Sequence, residues 1–347
     1  MQSSSEAKSP YWGFMILGLV AVIGFAYVKW MPYYDKAFYA ESHHAIGDSI
    51  LSGKAASAPP ASLDAAVDYA LAYGKAIVKA LVLGLLLGSG IKTLLPRLWM
   101  GNLLGRMGMK SVALGGLFAL PCMMCTCCAA PVANGMRQSR ASVGSVVAWW
   151  ISNPILNPAT LVFMGFVLGW AWALFRVVFG IAMVLGVAYL AERYAGTQEG
   201  VPLPQPEAID TELPQGNPLA RWVKEFAEMA IRLLPEYLVL VLLLGAARVW
   251  LFPELGAHND IGWIIAMALA GTLFVIPTAG EVPIVQAMLA LGMGAGPAGA
   301  LIMTLPAVSL PSLAMLSRAF NLRTRLVIAL GVALIGVAAG CAAMFVF

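Results

Sequence analysis

Four of the chain's five cysteines, Cys122, Cys125, Cys127 and Cys128, fall within the eleven residues from Pro121 to Pro131. Thiolates are soft ligands that select thiophilic centres. Such a density points to metalloid or soft-metal binding, or to thiol chemistry, rather than to scattered small hydrophobes. On a helix, Cys122, Cys125 and Cys128 share a face through i, i+3 spacing. In an unwound turn, Cys125, Cys127 and Cys128 come together instead. Either arrangement lets three sulfurs converge, and Cys125, Cys127 and Cys128 are the candidate metal ligands. Cys341 has no partner nearby in sequence and reads as packing. Cys122-Met123-Met124-Cys125 also has the spacing of a membrane thiol-disulfide oxidoreductase. That chemistry needs a second cysteine pair, yet no cysteine lies in a loop, and no thioredoxin-like strand-helix pattern is present.

The elements that hold this cluster are membrane-type helices. The chain is 61% hydrophobic and 11% charged, with a mean hydropathy of +0.83. Soluble domains have about 45–50% apolar and about 25% charged residues. Separate apolar runs reach the roughly 20 residues that cross a bilayer, and the alternating short strands of a β-barrel are missing. The expected fold is therefore an all-α polytopic membrane protein. Its net charge of +4 comes from basic residues in short loops, which speaks for topology and against nucleic-acid binding. No phosphate-binding loop of the Gly-x-x-x-x-Gly-Lys-Ser/Thr kind is present, so ATP hydrolysis is not expected. Nor is a cofactor.

The run 11–30 reads as a span, and 34–68 as an external loop that contains His43-His44, a solvated pair. Four segments follow from the pattern: 1–68, an N-terminal transmembrane helix and external loop; 69–191, a first transmembrane repeat; 192–228, a Pro-rich cytoplasmic linker; and 229–347, a second repeat. Pro131 and Pro154 are 23 residues apart, as are Pro283 and Pro306. Pro121 or Pro277 precedes each pair, and a second break at Asn157-Pro158 or Ser309-Leu310-Pro311 follows it. Repeats with matching interruptions mark transporters whose site lies at the repeat interface.

Charge bias orients the repeats. The loop before the broken segment carries Arg97, Arg106 and Lys110 in the first half, and Glu254 and Asp260 in the second. After the broken segments, 169–173 is uncharged, whereas Arg318, Arg323 and Arg325 follow in the second half. Opposite bias implies inverted repeats. The expectation is an N-terminal helix plus two inverted units, each of about three transmembrane helices and a re-entrant or broken helical hairpin. The hairpins fall at 112–136 and 262–291.

Polar residues in the broken runs complete the candidate site. Glu281, an acid inside an apolar hairpin, either marks a pathway or caps the helix that starts beside it. The expectation is that it faces the site and carries a proton. Asn153 and Asn157 stand where Pro154 and Pro158 free backbone groups, and Thr278, Gly280 and Ser309 are their second-half counterparts. Met123 and Met124 read as lining. Arg137 and Arg140 read as topology determinants.

Cys125-Thr126-Cys127-Cys128-Ala129-Ala130-Pro131, Ala141-Ser142-Val143-Gly144, Asn153-Pro154-Ile155-Leu156-Asn157-Pro158, Ile276-Pro277-Thr278-Ala279-Gly280-Glu281-Val282-Pro283 and Pro306 to Pro311 resemble the predicted-permease family that includes the trivalent organoarsenical exporters. The likeness runs from about residue 76 to the end. It implies an inner-membrane, multi-pass permease that exports a small thiophilic metalloid, with Cys125 and Cys127 as the leading thiols. The chain departs from the pattern at Cys128, where the family usually has Gly, and at the additional Cys122. Copper or zinc efflux is the competing substrate. Thiols lose protons to bind a soft centre, so loading would release protons, and proton-coupled exchange through Glu281 follows as an expectation.

Overall fold

The computed structural model describes residues 11–51, 58–195, 217–252 and 259–347. Lys54, Glu254 and most of the expected linker lie outside them. No strand occurs among the described residues. Among the described residues, seven helices are long and apolar enough to cross a membrane: 12–43, 63–94, 143–167, 170–195, 218–251, 295–315 and 322–346. The protein is a multi-pass membrane protein.

An N-terminal span runs through α1 (Tyr11–Phe25), a π-turn (Ala26–Trp30) and α2 (Met31–His43). The apolar reading ended this span at Trp30, but the helix continues for thirteen residues, so the expected loop 34–68 is helical over its first third. α3 (Leu63–Leu94) then opens the first repeat, started by Ser62, whose side chain accepts from the Ala65 N–H. After α4 (Arg97–Leu104) come a hairpin of α5 (Met109–Ala119) and α6 (Thr126–Gln138), a broken span of α7 (Val143–Ile155) and α8 (Pro158–Val167), and α9 (Trp170–Ala195). The second repeat repeats this order: α10 (Pro218–Leu251), a hairpin of α11 (Ile261–Leu273) and α12 (Glu281–Ala290), a broken span of α13 (Ala295–Ala307) and α14 (Leu310–Met315), and α15 (Leu322–Val346). α9 and α10 extend into both ends of the expected linker.

Contacts between equivalent helices show that the repeats are inverted. α3 and α10 are antiparallel: Gly245 packs on Ala66 and Tyr69, while at the other ends Trp222 Nε1 donates to the Leu86 carbonyl at 3.0 Å and Lys92 pairs with Glu225 at 2.6 Å. α9 and α15 are antiparallel too, with Trp172 stacked on Phe347 at 3.8 Å, Gly331 on Val187, and Arg323 over the Tyr194 ring at 5.9 Å. Helices that correspond in order yet oppose in direction are related by a two-fold axis across the helix direction.

Both hairpins enter and return on the same side. α5 runs parallel to α7, since Gly115 meets Ser145 and the Ser152 hydroxyl donates to the Gly116 carbonyl at 3.0 Å. At the base, Ser142 N–H donates to the Leu104 carbonyl at 2.8 Å. The tip reaches Trp150 and Asn153, about ten residues along α7, or roughly 15 Å at 1.5 Å per residue. That is half of a hydrocarbon core of about 30 Å. α11 likewise parallels α13, with Asn259 Oδ1 accepting from Gly296 N–H at 2.9 Å and Gly271 against Thr304.

α3 comes into backbone contact with α6 because Gly84 and Gly88 carry no side chain there. Any Cβ would strike the carbonyls of Cys128 and Pro131. Small residues four apart are the usual means of close helix approach in a membrane. Here they press the cysteine helix against α3, the opening span of the first repeat.

Candidate site where the two hairpin tips meet

The first tip is a tight turn whose Met123 adopts φ 52°, and the second has Ala279 at φ 66°. Left-handed backbone is uncommon for residues other than glycine and costs of order 1–3 kcal/mol unless surroundings enforce it. Met123 precedes Cys125, the N-cap of α6, by two residues; Ala279 precedes Gly280, the N-cap of α12, by one. The two strained turns thus present the starts of two half-helices to each other.

Cys125 and Cys128 stand one helical turn apart, with their sulfurs at 3.0 Å. Cys127 points elsewhere, to the Ser309 hydroxyl at 3.7 Å. Cys122 lies in the turn before the helix and sits 3.6 Å from the Phe118 carbonyl. Neither three-sulfur arrangement drawn from the sequence is what the backbone makes. The turn removes Cys122 from the helical face, and the helix directs Cys127 away from its neighbours. Among the described residues, no group of three His, Cys, Asp or Glu is arranged to hold a metal ion. All five thiols are free, and Cys341 is half-buried in α15. Cys122 and Cys125 are both buried free thiols. His43 stacks on Tyr39, and His44 lies 2.8 Å from the Phe166 carbonyl.

The remaining sequence candidates surround the pair. Thr278 of the second tip lies near Cys125 of the first. Asn153 Oδ1 accepts from the Met124 N–H at 3.3 Å and so pins the first tip to α7. Asn157 caps α8 through the N–H groups of Ala159 and Thr160, while its Nδ2 is buried without a partner among the described residues. Ser309 caps α14 in a capping box with Ser312. Both caps do the work left by the proline that follows or nearly follows them. Gly280 supplies the N-cap of α12 and Glu281 its first residue.

Four contributors were not read from the sequence. Arg176 of α9, fully buried, donates to Glu281 Oε1 at 2.6 Å, to the Pro154 carbonyl at 2.7 Å and to the Ile155 carbonyl at 2.9 Å. Pro158 has no N–H for the Pro154 carbonyl, so the guanidinium takes that place. Lys29, in the π-turn, donates to Tyr33 at 3.1 Å and to Thr278 at 3.0 Å. Tyr73 of α3 and Tyr237 of α10, with ring centroids 6.2 Å apart, lie beside Cys127. Their hydroxyls are buried and unpartnered among the described residues.

A family profile described as predicted permease matches residues 62–345. The chain belongs to this family of predicted permeases. It is 49% identical over 343 residues to UPF0718 protein YraQ of Escherichia coli (strain K12), covering 98% of this chain and 97% of that one. It is also 29% identical over 121 residues to UPF0718 protein MJ0584 of Methanocaldococcus jannaschii, covering 34% of this chain and 33% of that one. No solved structure matches. The permease's N-terminal span lies outside the matched region.

Proposed function

We propose that this permease exports a small thiophilic metalloid, foremost a trivalent organoarsenical, by a secondary mechanism through the thiols at the crossing of its two hairpin tips. The observation that carries the reading is the Cys125–Cys128 pair, buried with its sulfurs 3.0 Å apart beside Thr278. One thiophilic atom can bond to both sulfurs at that spacing. For an arsenical RAs(OH)₂ the exchange balances without redox change. Two As–O and two S–H bonds break, two As–S bonds form, and two waters leave.

A pair suits a monosubstituted arsenical, whereas inorganic arsenite would draw on a third thiol that Cys127 does not bring to the pair. The balance also makes loading proton-neutral for a hydroxylated arsenical, so proton coupling rests on Glu281. The thiols are closed off in this conformation. Alternating access then needs each hairpin to part from the opposite broken span. The outward direction comes from the family resemblance.

Transport of methylarsenite into everted vesicles, compared with arsenite, Cu(I) and Zn(II), tests the reading. Uptake of methylarsenite that disappears in Cys125→Ser supports it, and wild-type uptake by that variant refutes it.

A further inference from the structure

Lys29 is not required by the thiol exchange, and its surroundings give it a different task. It is a charged residue on the least enclosed of the seven spans, yet it is only 5% exposed. It sits in a π-turn, the kind of local widening that recurs at functional sites. Its ammonium binds Tyr33 and Thr278 and lies within electrostatic range of both Cys125 and Cys128. Among the described residues no carboxylate pairs with it. The nearest acid by sequence to Thr278, Glu281, is already neutralised by Arg176.

The rest of the site is equally short of negative charge. α6 starts at Cys125 without a side-chain cap, so its positive end faces the thiol pair. Tyr73 and Tyr237 bring two buried hydroxyls without partners, each left where an unmade hydrogen bond is costly. A buried cation needs a counter-charge; among the described residues no carboxylate supplies one, and the two neighbouring sulfurs carry no charge once they are bonded to arsenic.

On the basis of the arsenical reading above, we infer that the substrate carries an anionic arm: the thiols Cys125 and Cys128 take the arsenic, and Lys29 takes a carboxylate or similar acid group on the same molecule. The N-terminal span, outside the family-matched region, is then the selector of substrate charge, with Tyr73 and Tyr237 as further hydrogen-bond donors.

Two arsenicals that differ only in this arm test the claim: phenylarsine oxide and 4-carboxyphenylarsine oxide, titrated into the purified full-length protein. Wild type should bind the carboxylated probe at least about tenfold more tightly, a difference of 1.4 kcal/mol. Lys29→Arg should keep that preference, and Lys29→Met should bind both probes alike. Equal binding by wild type, or a preference that survives in Lys29→Met, overturns the inference. The wild-type comparison needs no variant, so it decides the matter even where Lys29→Met fails to insert. Absence of Cys125-dependent binding of either probe instead overturns the thiol reading, and this inference with it.

Discussion

Arg176 and Glu281, 105 residues apart and on opposite repeats, form an ion pair at 2.6 Å with both side chains essentially inaccessible. The same guanidinium holds the carbonyls opened at the α7–α8 break. One residue therefore ties the second hairpin to the broken span of the first repeat. Removing one member of a buried pair leaves the other uncompensated, at about 3–5 kcal/mol. Arg176→Ala and Glu281→Ala should each lower the unfolding midpoint in detergent severely. The double variant should be less damaging than the sum of the two. Strict additivity would show that the pair is not coupled.

Glu281 also bears the proposed proton role. Its Oε2 is buried without a partner among the described residues, so a proton has a place to go once Arg176 is displaced. Glu281→Gln fixes the neutral form and should flatten the pH dependence of transport. An unchanged pH profile in vesicles would remove the acid from the coupling mechanism.

Within the cysteine cluster the geometry ranks the thiols. Cys125→Ser and Cys128→Ser each take one of two As–S bonds and should weaken arsenical binding at least about tenfold, or 1.4 kcal/mol. Cys122→Ser, facing the Phe118 carbonyl, should leave affinity near wild type. Isothermal titration with phenylarsine oxide measures all three, and equal losses at all three positions would contradict the pairing.

The contact of α3 with α6 depends on Gly84 and Gly88. Gly84→Val inserts branched bulk against the Cys128 carbonyl and should displace the whole first hairpin. Overpacking of this kind costs about 1–3 kcal/mol. Thiol labelling should then rise at Cys125 and Cys128; labelling as slow as wild type would mean the hairpin is held elsewhere.

These dependencies explain what the amino-acid order disclosed and what it withheld. The caps Asn157 and Ser309 are local signals and fall at the breaks, whereas Pro131, Pro154, Pro283 and Pro306 lie inside helices that run through them. The inversion was legible in loop charge because topology leaves its record in Arg and Lys. The pairing of Cys125 with Cys128 was not legible, since it depends on where the α6 helix begins after Met123. Lys29 could not be read as a site residue, for nothing near it in the chain reveals Thr278, 249 residues away. Arg176 did leave a sign, a charge inside an otherwise apolar run, which by itself argues for a buried partner.

Tyr73 and Tyr237 separate a binding role from a structural one most cleanly. A buried hydroxyl without a partner contributes nothing to stability, and replacing it with hydrogen is neutral or slightly favourable. Tyr73→Phe and Tyr237→Phe should therefore melt at or a little above the wild-type temperature, since ring packing is kept. Transport should nevertheless fall, because a polar substrate beside Cys127 loses a donor in a site that excludes water. Each lost hydrogen bond to a neutral group is worth about 0.5–1.5 kcal/mol, and about 1.5–3 kcal/mol to a charged one. A decrease in affinity confined to carboxylated arsenicals would place the hydroxyls on the anionic arm, whereas equal losses for neutral arsenicals would place them on the arsenic side. A lower melting temperature with unchanged transport would show that both hydroxyls serve the fold alone.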